Sequence, residues 1–179
     1  MQPMNTLRAF FFINLVLTGF FSSIGFVNAV GLVPAMEDTP VQHLVPYWQL
    51  LDFCMRSRMP ILGVAMLLSF AFLLVGLARQ KPANRLAFWL AATSVLMVFS
   101  DLFITFTQNL PINLLLKKLD PEKVPASFEL QKVKAARAFY LWSIPMMLSS
   151  VLMILSYFRF EATHALSAGI PDERTLTTQ

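Results

Sequence analysis

The sequence predicts an all-α fold: an integral membrane four-helix bundle with antiparallel spans and two longer loops on one side. Three observations lead there. The chain has 179 residues, of which 56% are hydrophobic and only 13% charged, against roughly 25% charged in soluble domains. Its apolar residues gather in four runs, each near the ~20 residues that an α-helix needs to cross a hydrocarbon core of ~30 Å. None of these runs alternates as a barrel strand does, and open strands would leave backbone groups unsatisfied in lipid.

The first span is expected at about 7–33. Arg8 before an apolar stretch, and the small residues around Val27 to Ala29, also fit a secretory signal. Against that reading, Asn14, Thr18, Ser22, Gly25 and Asn28 follow one another at intervals of 4, 4, 3 and 3, which places them on one helical face. Small and polar residues on one face are what a membrane helix offers to another helix. A connector then contains PYWQLLDFCMRSR, in which Pro46 is suited to opening an interfacial helix or an early extension of the second span.

The second span is expected at 60–78 and the third at 86–109. ARQKPANR between them is too short for anything but an antiparallel hairpin. Pro111 should end the third span, because the residue before a proline is biased away from helical angles. In the next connector, Asp120-Pro121 and Pro125 to Ser127 are helix starts. The last helix should begin near Ser127, enter the membrane as a span at 138–158 and kink at Pro145. A polar tail at 161–179 should be loose. The length suits a single membrane domain over 1–179, and the sequence shows no repeat.

With four spans both termini share a side. Arg8, Arg79, Lys81, Arg85, Arg159 and Arg174 fall there, and eight basic residues fall opposite. The raw count puts the long loops in the cytoplasm, whereas the density of charge in the short hairpin puts the termini there. The termini are taken as cytoplasmic, with the chain multi-pass in a bacterial inner membrane. The net charge of +4 sits in connectors and flanks, which suits lipid headgroups and argues against a nucleic-acid face.

The lone Cys54 permits no internal disulfide. His43, with Glu37 and Asp38 before it, is too sparse a set for a metal centre, and no metal or cofactor is expected. No glycine-rich phosphate loop, nucleophile elbow, CxxC or HExxH occurs. Nucleotide hydrolysis, triad hydrolysis and zincin chemistry are thereby set aside. Trp89 and Trp142, near span ends, read as interface anchors, while Trp48 reads as an anchor or a pocket wall.

Asp101 stands out, because a carboxylate in an apolar helix is costly unless it is paired, hydrated or protonated. Asp101, Thr105 and Gln108 are spaced by 4 and 3 and form a stripe, with Asn109 beside it. Asp101 lies about 12 Å below the span end at 1.5 Å per residue, too deep to snorkel. It must face the bundle, where the stripe of the first span and Ser143, Ser150 or Tyr157 are available partners. Asp101 then serves either as interhelical glue or as a proton donor or acceptor tuned by desolvation. Asn109 and Asn113 present amides at the bundle mouth, as donors to a helix terminus or as a rim that orients a substrate. Asp101, Gln108, Asn109 and Asn113 are the candidate catalytic residues. Asn14, Thr18, Ser22 and Thr105 are the candidate pocket lining.

The four spans, the long first loop, TFTQNLPINLLLKKLDP at the end of the third span and the basic helix leading into the fourth resemble the anthrone oxygenase-like family, also described as domain of unknown function 1772. The family's asparagine, proline and second asparagine correspond to Asn109, Pro111 and Asn113. Where the family often carries an asparagine and an arginine after a tryptophan, this chain has Ser143 and Met146 after Trp142. The resemblance implies cofactor-free oxygenation of a polycyclic aromatic substrate, with Asp101 as base and Gln108, Asn109 or Asn113 as donors to an oxyanion. The lipid bilayer and an apolar aromatic small molecule are then the partners. The competing readings are a structural or interaction subunit that packs against itself or a membrane partner, and a proton-coupled carrier. A deep apolar pocket reaching Asp101 would favour the enzyme, and a closed bundle with Asp101 bonded to Asn14 or Thr18 the packing role.

Overall fold

The computed structural model describes residues 3–80 and 84–168. Lys81 in the short hairpin, Arg174 and the tail beyond 168 lie outside the described residues. The chain folds into α1 (Pro3–Val27), a π-helical turn (Asn28–Leu32), α2 (Val33–Asp38), α3 (Val41–Ala78), α4 (Arg85–Ile104), a second π-helical turn (Thr105–Asn109), α5 (Leu110–Leu116) and α6 (Phe128–Ala168). Four continuous helical runs, Asn5–Asp38, Val41–Ala78, Arg85–Leu116 and Phe128–Leu166, are long and apolar enough to cross a membrane. The protein is a multi-pass integral membrane protein with a four-helix bundle.

Outward-facing phenylalanines such as Phe12, Phe72, Phe99, Phe103 and Phe158 are all more than half exposed. That pattern is stable in hydrocarbon and would be a liability in water.

The connector after the first span differs from the sequence reading. It is helical except at Thr39 and Pro40. α3 starts at Val41, ahead of Pro46, and runs unbroken through Pro46 and Pro60 into the second span. At 38 residues it is about 57 Å long, well beyond the hydrocarbon thickness. Met36, Val41, Leu44, Val45 and Trp48 meet Ile112, Leu116, Phe128 and Ala135 in a second apolar core at this end. Those residues recur at helical spacing, and burying them is why the segment is not a loop.

Polar ties hold this layer. Gln49 Nε2 donates to the carbonyls of Leu116 at 2.8 Å and Leu119 at 3.0 Å, satisfying the open end of α5. The ammonium of Lys132, a buried residue, donates to the carbonyls of Thr39 at 3.1 Å and Glu37 at 3.3 Å and pairs with Glu129 at 2.9 Å. Lys132→Met is expected to lower stability by about 1–3 kcal/mol, because two carbonyls lose a charged donor. Unfolding in denaturing detergent micelles checks this, and an unchanged midpoint would contradict it.

α6 is the central helix, with α4 and α1 lying along it and α3 packed mainly on α1 and α4. The start of α1 and the end of α6 lie together, where Arg8 Nε and Nη2 donate to the two Glu161 oxygens at 2.8 Å each. The helix continues past 161, so this part of the expected loose tail is ordered. His164 stacks edge-on against Phe160 and lies 3.4 Å from the Asn84 amide.

Small residues let α4 and α6 approach closely. Ser94 Oγ donates to the Ser149 carbonyl at 2.8 Å and lies 2.9 Å from Ser149 Oγ. Ser156 Oγ donates to the Ala87 carbonyl at 2.7 Å. Pro145 sits buried inside α6, which stays helical across it.

Candidate functional site

The third span does not end before Pro111. It widens into the π-helical turn Thr105–Asn109 and continues as α5, with Pro111 in the first turn of that helix. A proline ring clashes with the carbonyl four residues earlier in a regular helix, and a wider turn moves that carbonyl away. The first span repeats the device: Asn28–Leu32 is π-helical and Pro34 follows in the first turn of α2.

The extra residue in the wide turn changes which side chains face inward. Asp101 and Asn109 are buried, Thr105 is half-buried, and Gln108 is exposed. In a regular helix Gln108 would share the face of Asp101, and the added residue rotates it outward and turns Asn109 in. Gln108 therefore leaves the candidate set. Gln108→Leu is expected to change any activity of the site by less than about twofold, as for a surface change of ~0.5 kcal/mol. Asn109→Leu, at a buried position, should do more. A Gln108→Leu variant as impaired as Asn109→Leu would reinstate the amide.

Asp101 lies on the inward face of α4, continuing the stripe Ala87, Ala91, Ser94 and Val98, all of them buried. It is 7% exposed, and its Oδ1 atom is buried without a hydrogen-bond partner. A small cleft leads to it, lined by Thr18 and Phe21 of α1, Met66 of α3, Val98 of α4, and Met146 and Ser149 of α6. The space open to the centre of a water molecule is about 10 Å³, room for about one water.

The first-span stripe faces inward: Asn14, Thr18, Gly25 and Asn28 are buried and Ser22 is half-buried. Its hydrogen bonds go elsewhere than to Asp101. Asn14 Nδ2 donates to Ser69 Oγ at 2.9 Å and to the Phe10 carbonyl at 2.8 Å. Thr18 Oγ1 donates to the Asn14 carbonyl at 2.7 Å. Thr18 thus lines the cleft, whereas Asn14 ties α1 to α3. Ser143 and Ser150 are buried and Tyr157 is half-buried, yet none of them bonds Asp101, and Ser143 Oγ donates to the Phe139 carbonyl at 2.8 Å.

Asn109 Oδ1, Asn113 Oδ1 and Trp142 Nε1 are buried without hydrogen-bond partners. Trp142 is half-buried and packs on the cluster that contains Phe21, Val98 and Met146. It faces the bundle and is not the interface anchor its position suggested. The register of α4 on α6 steps from Ala87 with Ser156 to Ser94 with Ser149. One further step of the same length brings Trp142 level with Asp101.

Among family models, curated proteins and solved structures, none matches this chain. Among the described residues, no group of three or more His, Cys, Asp and Glu side chains comes together. Sequence reasoning overlooked Ser149, Met66, Met146, Phe21 and Val98. The signal for the α4 face was available, since Ala87, Ala91, Ser94, Val98 and Asp101 recur at intervals of 4, 3, 4 and 3.

Proposed function

We propose that this membrane protein is a cofactor-free oxygenase of the anthrone oxygenase-like type, acting on a planar, electron-rich aromatic ketone with Asp101 as base. The observation that carries this reading is the state of Asp101: a buried carboxylate whose Oδ1 takes no hydrogen bond, in a cleft lined mainly by apolar side chains with Thr18 and Ser149 among them. An unpaired carboxylate inside a membrane bundle is costly to maintain, and such groups are functional candidates by default.

The reaction needs little beyond a base, donors and a dry pocket. Asp101 would take a proton from the activated CH₂ of the substrate, leaving a delocalised anion. That anion gives one electron to O₂, and the resulting pair combines to form a C–O bond and a peroxide. Loss of the second C–H proton with cleavage of the O–O bond leaves the new carbonyl. The departing hydroxide takes the proton from Asp101 and leaves as water. CH₂ and O₂ thereby become C=O and H₂O, with no electrons left over. The Trp142 N–H, buried without a partner, and the Nδ2 groups of Asn109 and Asn113 would be the donors that steady the oxyanion.

A tricyclic substrate needs more room than the cleft now offers, so Phe21, Met66 and Met146 would have to swing aside. Methionine is suited to that, being unbranched and rich in rotamers. The size of the cleft supports a second reading, in which Asp101 and one trapped water tie α4 to α1 and α6 and the protein is a structural or interaction subunit. Oxygen consumption with an anthrone separates the two. Uptake by the native protein that is lost in a folded Asp101→Asn variant is the expected result. Absence of uptake by the native protein would select the structural reading.

A further inference from the structure

We infer that α3 is a side gate: its middle stretch, residues 49–65, parts from the bundle and admits an apolar molecule dissolved in the bilayer to the Asp101 cleft, past Gly63. This concerns the way in, so it does not rest on the oxygenase reading and holds for any apolar ligand of the cleft.

The inference comes from where α3 is fastened. Its buried residues stop at Trp48 and resume at Met66, and none of residues 49–65 between them is buried. That stretch is about 25 Å long at 1.5 Å per residue. The polar ties lie at its two ends. Toward the loops, Gln49 reaches the Leu116 and Leu119 carbonyls at 2.8 and 3.0 Å, and Asp52 pairs with Lys117 at 3.7 Å. Toward the termini, Ser69 Oγ accepts from Asn14 at 2.9 Å, and Gly76 lies so near Leu7 that a Cβ there would overlap that side chain. Between these ends the one side-chain tie among the described residues, Arg56 to Asp52, stays within α3. Pro60, inside the stretch, cannot make the helical bond to the Arg56 carbonyl. A helix held at both ends and weakened in the middle is free to bow.

The free stretch borders the cleft. Met66, where burial resumes, is one of the cleft walls. Met59, Leu62 and Gly63 continue the inward stripe of Met66, Phe70, Leu73 and Leu77 at helical spacing, yet all three are only half-buried. A Cβ added at Gly63 would meet nothing within 4 Å, so the space beside it is unfilled. The other seams are closed. A Cβ at Gly25 of α1 would stand 3.2 Å from the Ser143 carbonyl of α6, and α4 is bonded to α6 through Ser94 and Ser149. Residues 60–65 fall within the second span, where Ile61 and Val64 turn outward, 71% and 57% exposed, into hydrocarbon. A charged or strongly hydrated solute is excluded from that layer, so the entering molecule is apolar. Met59 and Met66 are the side chains it displaces, and methionine changes rotamer readily.

The test is chemical access to a thiol placed at the site. Cys54 is the sole cysteine, so Cys54→Ser combined with Asp101→Cys leaves one reporter in the full chain. Thr18→Cys, on another wall of the cleft, replaces it if Asp101→Cys does not fold. In proteoliposomes the reporter meets pyrenyl maleimide, planar and dissolved in the bilayer, or a charged, impermeant thiosulfonate present in water on both faces. Modification by the maleimide alone is the expected result. Gly63→Phe, whose ring occupies the unfilled space, should slow that reaction about tenfold, a rise of about 1.4 kcal/mol in the barrier to entry. Gly63→Leu is the smaller plug if Gly63→Phe does not fold. Gly19→Phe is the control: a Cβ there also meets nothing within 4 Å, but it lies off the inward stripe of α1, and the rate should change by less than about twofold. A reporter modified as fast by the charged reagent overturns the inference, because the route is then aqueous. Equal rates in Gly63→Phe and Gly19→Phe overturn it too, because entry then lies elsewhere than along α3. A reporter that neither reagent modifies means a sealed cleft and overturns it outright. These readouts are independent of oxygen uptake, so the gate and the oxygenase can fail separately.

Discussion

Asp101→Asn is expected to reduce anthrone-dependent oxygen uptake by about 10²–10⁴-fold, the usual worth of a positioned general base. Asparagine keeps the shape of the side chain and removes its capacity to accept a proton at neutral pH. The loss should fall on kcat more than on KM, because the contact that disappears is one made in the proton-transfer step. Stability should hold or rise, since the carboxylate has no hydrogen-bonded partner to lose and a neutral amide is easier to bury. That combination of lower rate and undiminished stability distinguishes a working carboxylate from interhelical glue. If Asp101→Asn instead unfolds at lower denaturant and the surviving folded fraction keeps its uptake per molecule, Asp101 is structural and the base lies elsewhere.

The parts of the fold that follow from the membrane were legible in the sequence. A span must be a long apolar helix whatever its neighbours, so the existence of four runs was legible, although the helices run well past the expected bounds. The inward stripe of α1 was also legible, because Asn14, Thr18, Gly25 and Asn28 keep a helical interval and are all buried. What was lost depended on local backbone. A π-helical turn adds one residue to a helix without any change in composition, so Gln108 and Asn109 exchanged faces unseen. The two prolines were misread in turn, Pro111 as a stop and Pro46 as a start, because tertiary burial and a widened turn offset the local penalty.

Hydrogen-bond direction was illegible for a different reason. The sequence places Thr18 on an inward face, but only packing decides that its hydroxyl bonds the Asn14 carbonyl and not Asp101. The second core was readable in principle from Met36, Val41, Leu44, Val45 and Trp48. It was missed because a helix was expected only from Pro46, as an interfacial helix or an early extension of the second span, and the residues before it were read as a connector.

Ser94→Leu should disrupt the bundle, costing about 1–3 kcal/mol from overpacking alone. Ser94 is fully buried, and its hydroxyl touches both the carbonyl and the hydroxyl of Ser149. At this approach distance α4 has no room for a longer side chain against α6 unless the helices separate. Separation would carry Ala87 away from Ser156, whose hydroxyl now sits 2.7 Å from the Ala87 carbonyl, and would strand the Ser149 hydroxyl. Ser94→Ala is the necessary comparison. It removes the same hydrogen bonds without adding volume and should cost only about 0.6–1.7 kcal/mol, as interhelical hydrogen bonds in membranes do. Unfolding of both variants in mixed detergent micelles separates packing from hydrogen bonding. A leucine variant as stable as the alanine variant would mean that α4 and α6 are not in close contact here. It would also remove the basis for placing Trp142 level with Asp101, since that placement extends the register set by Ser94 and Ser149.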